Sequence, residues 1–212
     1  QILQLRMSNL SRSLDNPSVQ TLKQLQSLEK ATSRLNKIVL SMNKLSKNTA
    51  LSENEPHPIT EIFNDALDYV HPVLLKNNTK LIFEDNYTSW IVNCHHIQIS
   101  QVLVNLIKNA AEVTSSFTDE NKKWVKIECH DLGSTYQIRI IDGGSGLTPE
   151  VQNNIFQPQF TTKMAGTGTG LGLSISKKFI ENHNGKLFYD PTHENTCFVI
   201  ELPKFHKQSV AI

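Results

Sequence analysis

Four of the nine glycines in this 212-residue chain fall within seven positions, Gly166-Thr-Gly168-Thr169-Gly170-Leu171-Gly172, and the helix-spaced run Leu173-Ser-Ile-Ser-Lys-Lys-Phe-Ile180 follows at once. A loop with so little side-chain bulk is a poor interior for helix or strand. With a helix starting at its end, its free backbone N–H groups face outward from a helix N-terminus, which is a natural seat for phosphate. Two other nucleotide motifs fail here. G-x-G-x-x-G needs its third glycine where Leu171 or Leu173 stands, and G-x-x-x-x-G-K-[ST] lacks its lysine. The competing reading, a flexible linker, is disfavoured by the helix that begins immediately.

Two earlier segments carry complementary chemistry. Asn105 and Asn109 lie four apart in an apolar-periodic run from Ile97 to about Val113, so both amides share one helix face. An amide oxygen is a neutral hard ligand suited to Mg²⁺, which keeps several waters and takes its other bonds from phosphates. By spacing alone the reading as two polar residues on the solvated side of an amphipathic helix is the favoured one. Asp142 closes a strand pattern and leads into Gly143-Gly144-Ser-Gly146. A carboxylate there can accept a hydrogen bond from an exocyclic amine such as adenine's, favouring adenine over guanine. An ordinary strand-to-helix turn is the alternative.

Apolar positions Leu22, Leu25, Leu28, Ala31, Leu35, Ile38, Met42 and Leu45 recur at spacings of three and four, the stripe of a long amphipathic helix. A shorter helical stretch with Ile2, Leu3, Leu5, Leu10 and Leu14 precedes it and ends at Asp15-Asn-Pro17. The two predict a helical hairpin over residues 1–50, too small to hold its own core, packing on a second copy as a four-helix bundle or else on its own globular domain. Residues 51–58 carry two prolines and read as linker. From Ile59 to residue 204 helices alternate with strands: a helix to about Leu75, strands Lys80 to Glu84 and Trp90 to Cys94, and the strand pair Trp124 to Cys129 and Tyr136 to Ile141. A short helix from Pro149 to Ile155 and the strands Lys186 to Tyr189 and Cys197 to Leu202 complete an α+β pattern, with residues 205–212 as a tail.

Charge excludes some partners. Lys plus Arg total 21 against 20 acidic residues, a net charge of +1, so nothing in the global field favours nucleic acid or anionic membrane. Cys94, Cys129 and Cys197 are far apart and read as buried apolar residues, not as a zinc site or disulfide framework. His95-His96 reads as a helix start, because adjacent helical residues do not face one another. No apolar run approaches the roughly 18 residues of a membrane span. The start at Gln1 suggests a fragment whose location is cytoplasmic, with any membrane anchor in segments outside it.

Between the second and third segments stands Phe156-Gln-Pro-Gln-Phe160-Thr161-Thr162-Lys163. It resembles the F box of histidine kinases, a pair of phenylalanines around proline followed by Thr-Thr-Lys. With it in register, the three other segments resemble the N, G1 and G2 boxes of the ATP-binding fold shared by sensor histidine kinases, gyrase B, Hsp90 and MutL. The resemblance covers residues 18 to 203. It implies a two-layer α/β sandwich, a mixed sheet with helices on one face, preceded by the dimerising hairpin.

The same resemblance implies that Asp142 binds the adenine amine, Asn109 coordinates Mg²⁺, and Asn105 supports phosphates and metal. Gly144 and Gly146 would shape the adenine pocket. Gly168, Thr169, Gly170, Leu171 and Gly172 would cradle the triphosphate of ATP, Phe156 and Phe160 would hold the lid, and Thr161, Thr162 and Lys163 would reach the nucleotide, Lys163 at the γ-phosphate. Hydrolytic relatives place Glu where Asn105 stands, to activate water; an amide cannot accept that proton, which favours phosphoryl transfer. The chain departs from the family at Gly143, where Asn is common, and at Glu112. Its eight histidines all lie in or after the linker, so the family's acceptor histidine belongs about ten residues before Gln1 by helix length. The implied function is the catalytic core of a sensor histidine kinase acting as a homodimer with a response-regulator receiver domain as partner. Two alternatives are a serine kinase of the anti-sigma-factor type and a non-catalytic ATP-binding module.

Overall fold

A computed structural model describes Thr21 and residues 54–83, 87–163 and 168–205. The expected helical hairpin, residues 51–53, Glu84, Gly166 and residues 206–212 of the tail lie outside the described residues. The chain divides into two compact units, Ser52–Pro158 with Gly172–Ile212, and Gln1–Leu51 with Gln159–Leu171.

In the larger unit the order is β1 (Glu55–Pro58), α1 (Ile59–Lys76), β2 (Lys80–Phe83), β3 (Ile91–Cys94), α2 (His96–Thr114), β4 (Trp124–Asp131), β5 (Thr135–Asp142), α3 (Pro149–Asn154), α4 (Gly172–Asn182), β6 (Lys186–Tyr189) and β7 (Thr196–Pro203). Five strands form one sheet in the order β2-β4-β5-β7-β6. The β2–β4 pair is parallel and the other pairs are antiparallel, so the sheet is mixed. This is the α+β architecture that the box resemblance implied.

Period-2 burial built the hairpin. Val125, Ile127 and Cys129 alternate with half-buried polar neighbours on β4, as Tyr136, Ile138 and Ile140 do on β5, and these two sets form the inner face. Onto that face packs α2, whose Ile99, Val102, Leu103, Leu106, Ile107 and Ala110 are buried at spacings of three and four. Helices α1 and α4 flank α2. The burial of α1 follows the same rule through Ile59, Ile62, Phe63, Ala66, Val70 and Leu74. All three cysteines are buried, and none of them forms a disulfide. Burial pushes the Cys94 thiol up to about 12 and that of Cys197 to about 11, which keeps both protonated.

Residues 55–58 correct the linker reading. They form β1, paired antiparallel with β3. Pro56 and Pro58 alternate along it, so both missing N–H groups fall on one side, and among the described residues that side faces no strand. The pairing continues past the strand, where the Ile59 N–H donates to the Trp90 carbonyl at 2.9 Å. At the other end of the domain the Phe205 N–H donates to the Ile91 carbonyl at 3.2 Å, which ties the first tail residue to β3.

Candidate nucleotide-binding site

The sheet delivers Asp142 to the C-terminal end of β5, directly opposite Thr196 at the start of β7. Asp142 is 4% exposed. Burying a carboxylate without partners is costly, and two partners are supplied: the Gly144 N–H donates to Oδ1 at 2.8 Å, and the Thr196 hydroxyl donates to the carboxyl. Burial is the larger influence and raises the carboxyl from the usual carboxylate range to about 6, against the downward pull of the two hydrogen bonds. Near neutrality the group is an anion with unfilled acceptor capacity, able to receive an exocyclic amine.

Gly144 shows why that loop needs glycine. A Cβ there would stand 2.7 Å from both Asp142 Oδ1 and Thr196 Oγ1, on top of the carboxylate. The departure at Gly143 has a similar origin, because a Cβ would run into the Lys122 backbone carbonyl. The loop is tied down by β6 and β7. The Gly144 carbonyl accepts from the Thr196 N–H at 3.2 Å and from Asn195 Nδ2 at 3.1 Å.

Helix α2 packs against β4 and β5 and carries Asn105 and Asn109, both half-buried, one turn apart. Asn105 Nδ2 donates to Ser176 Oγ on α4 at 3.0 Å. That bond uses one of the two amide N–H groups, and the amide oxygen lies toward the bare Cα of Gly172, where any Cβ would overlap it. The first turn of α4 therefore sits against the Asn105 acceptor. These hard, neutral oxygens fit the donor chemistry that Mg²⁺ requires.

Phe156, the first aromatic of the F box, meets Phe198 edge-on at 6.2 Å, with Lys177 Nζ 5.0 Å above its ring. Residues Gln159–Lys163 of that box belong to the smaller unit together with Gly168–Leu171, and within that unit these two segments lie side by side. A Cβ on Gly168 would lie 2.6 Å from Thr161 Oγ1 and 3.3 Å from the Lys163 stem, and one on Gly170 would overlap the Gln159 carbonyl group. Thr161 Oγ1 accepts from the Lys163 N–H at 3.2 Å, and Thr169 Oγ1 from the Leu171 N–H at 3.4 Å. Phe160 is half-buried and Thr162 exposed.

Several partners were not named by sequence reasoning. Ser176 lies four residues after Gly172 and hence on the same helix face, a signal the sequence did contain. Thr196, Asn195 and Tyr189 needed the β5–β7 and β6–β7 registers. His95 and His96 do open α2. The His95 N–H donates to His183 Nε2 at 2.9 Å, while His96 Nε2 faces Asp65 Oδ2 at 3.2 Å, so the neighbours serve different partners.

The family described as histidine kinase-, DNA gyrase B- and HSP90-like ATPase matches residues 94–206. The chain is 29% identical over 182 residues to the two-component sensor PprA of Pseudomonas aeruginosa, an alignment covering 84% of the chain and 20% of that protein. The chain thus spans about a fifth of the length of this curated relative. Among solved structures, the catalytic domain of the histidine kinase ThkA superposes with a TM-score of 0.61 at 32% identity, covering 72% of this chain and 97% of that one. ThkA in complex with the response regulator protein TrrA gives a TM-score of 0.66 at 25% identity, covering 96% of this chain and 57% of that one. With the fold, the buried Asp142 and the box residues in agreement, the chain belongs to the histidine kinase-, DNA gyrase B- and HSP90-like ATPase family.

Proposed function

We propose that this chain is the ATP-binding catalytic part of a sensor histidine kinase, which transfers the γ-phosphoryl group of ATP to a histidine outside these 212 residues for relay to a response-regulator aspartate. The observation that carries it is Asn105, an amide where water-activating relatives use a carboxylate, with its N–H committed to Ser176 at 3.0 Å. Such a group orients phosphates and cannot act as general base, so the site favours transfer over hydrolysis. The family match and the likeness to histidine kinase catalytic domains support the same reading.

In this proposal Asp142 accepts the adenine amine, and Gly144 and Gly146 leave room for the ring. The Gly168–Gly172 backbone receives the triphosphate, and Lys163 meets the γ-phosphate. Asn109, with support from Asn105, holds Mg²⁺, which when bound neutralises charge on the transferring group. The helical hairpin pairs two chains, and a receiver domain is the downstream partner, as the ThkA complex with TrrA supports. Among the described residues no helix is long and apolar enough to cross a membrane.

The test supplies labelled ATP and a separate dimerisation domain carrying an acceptor histidine. Label should pass to that histidine, and Asn109→Ala should slow the transfer by at least about 100-fold through misalignment of the γ-phosphoryl group. Label stable on a serine of this chain would favour the serine-kinase alternative.

A further inference from the structure

The loop after Asp142 ends at Leu147, whose backbone N–H donates to the Tyr189 hydroxyl at 3.0 Å. Gly146, just before it, has a φ of 85°, in the left-handed region, and a Cβ there would stand 2.9 Å from the same hydroxyl. The chain therefore folds tightly over the tip of Tyr189, a position L side chains rarely tolerate. On the far side, Gln152 Nε2 donates to the Leu147 carbonyl at 2.7 Å. Leu147 is thus held through both of its peptide groups by side chains from other elements.

Tyr189 itself is braced. Its ring lies 6.0 Å from Phe198 at 63°, and Phe198 in turn meets Phe156 edge-on. Edge-to-face pairs of this kind favour one orientation of each ring, so the hydroxyl is presented at a fixed height beneath the loop.

We infer that Tyr189 is a positioning residue of the nucleotide site: its hydroxyl sets the Gly146–Leu147 backbone relative to Asp142 and so fixes the edge against which an adenine ring must fit. The inference rests on Asp142 being the base contact. It places Tyr189 beyond the box residues, acting through Leu147 and not by touching the phosphates. Two consequences follow from the geometry. Loss of the hydroxyl frees the Leu147 N–H, and the penalty falls on the base and leaves the phosphates alone.

Tyr189→Phe keeps the ring and its packing and removes one oxygen. In calorimetric titrations of the chain with ADP and with ATP, both Mg-loaded, the variant should bind about three- to tenfold more weakly, the range of one net hydrogen bond. The factor should be the same for both nucleotides. Hydrogen exchange at the Leu147 amide should accelerate while the β6 amides keep their protection. Asp142→Asn is run beside it. If Asp142→Asn loses binding while Tyr189→Phe binds as the parent does, or weakens ATP and ADP unequally, the inference is overturned and the base-site reading stands. If Asp142→Asn binds as tightly as the parent, the base-site reading fails and the inference fails with it.

Discussion

The end of β5 and the segment from Gln159 to Leu171 both carry residues expected at one nucleotide, yet they are shaped by different means. At β5 the partners arrive from distant sequence: Asn195 reaches the Gly144 carbonyl and Tyr189 the Leu147 N–H, across separations of 51 and 42 residues. In the Gln159–Leu171 segment the Thr161 and Thr169 hydroxyls each accept from an N–H two residues onward. The proposed base contact at the end of β5 is therefore set by the register of the sheet, the kind of preorganisation that lowers the cost of binding. The segment proposed to receive phosphates takes its shape from short-range hydrogen bonds, which suits a surface built of backbone donors.

Alanine at matched glycines should expose that difference most strongly. Gly144→Ala would place a methyl against two side chains held by the sheet, and nucleotide affinity should fall by roughly 30- to 100-fold, as for overpacking of a fixed site. Gly168→Ala meets the Thr161 hydroxyl and the aliphatic stem of Lys163, both able to rotate. Its loss should stay below about tenfold. Equal losses in parallel titrations would break the contrast.

Acidity should act on the base half. A bound amine favours the Asp142 anion, so affinity should be level above the raised value of about 6 and drop as pH falls below it. The slope should approach about tenfold per pH unit, and Asp142→Asn should flatten it. The stability of the free protein runs the other way. Because the folded-state value is raised, the contribution of Asp142 is fully present below its unfolded value and is lost as pH rises through about 6. Denaturant titrations of the parent and Asp142→Asn at pH 4.5 and 7.5 (values of about that size span the window) read this sign directly.

The smallest effect concerns the bolt between α2 and α4. Ser176→Ala leaves Asn105 without its acceptor and should weaken Mg-ATP binding by about two- to tenfold, with ADP in the absence of Mg²⁺ less affected. An identical loss for both ligands would mean that Ser176 only supports packing.

The legibility of the sequence followed the same division. Helices α1 and α2 and the β4–β5 hairpin were readable because their apolar residues repeat at 3.6 or 2. The four boxes were readable because each is local. What escaped was pairing at a distance. Asp142 was visible as a candidate, but Thr196, its hydroxyl donor, became identifiable only through the β5–β7 register. The parallel β2–β4 pair has no local signature at all. Strand β1 was hidden by its prolines, which ordinarily signal linker and here sit on the strand edge turned away from β3, where a missing N–H costs little. Gly143 departs from the family because a Cβ there would run into the Lys122 carbonyl, a contact distant in sequence that no local pattern shows.

The central claim, that the chain recognises adenine nucleotides through Asp142, is tested most directly by one calorimetric comparison of Mg-ADP and Mg-GDP on the parent and on Asp142→Asn at neutral pH. The account predicts clear binding of ADP by the parent, binding of GDP weaker by at least about tenfold, and loss of that preference together with most of the ADP affinity in the variant. Equal affinity of the parent for ADP and GDP, or an Asp142→Asn protein that still prefers ADP, would contradict it.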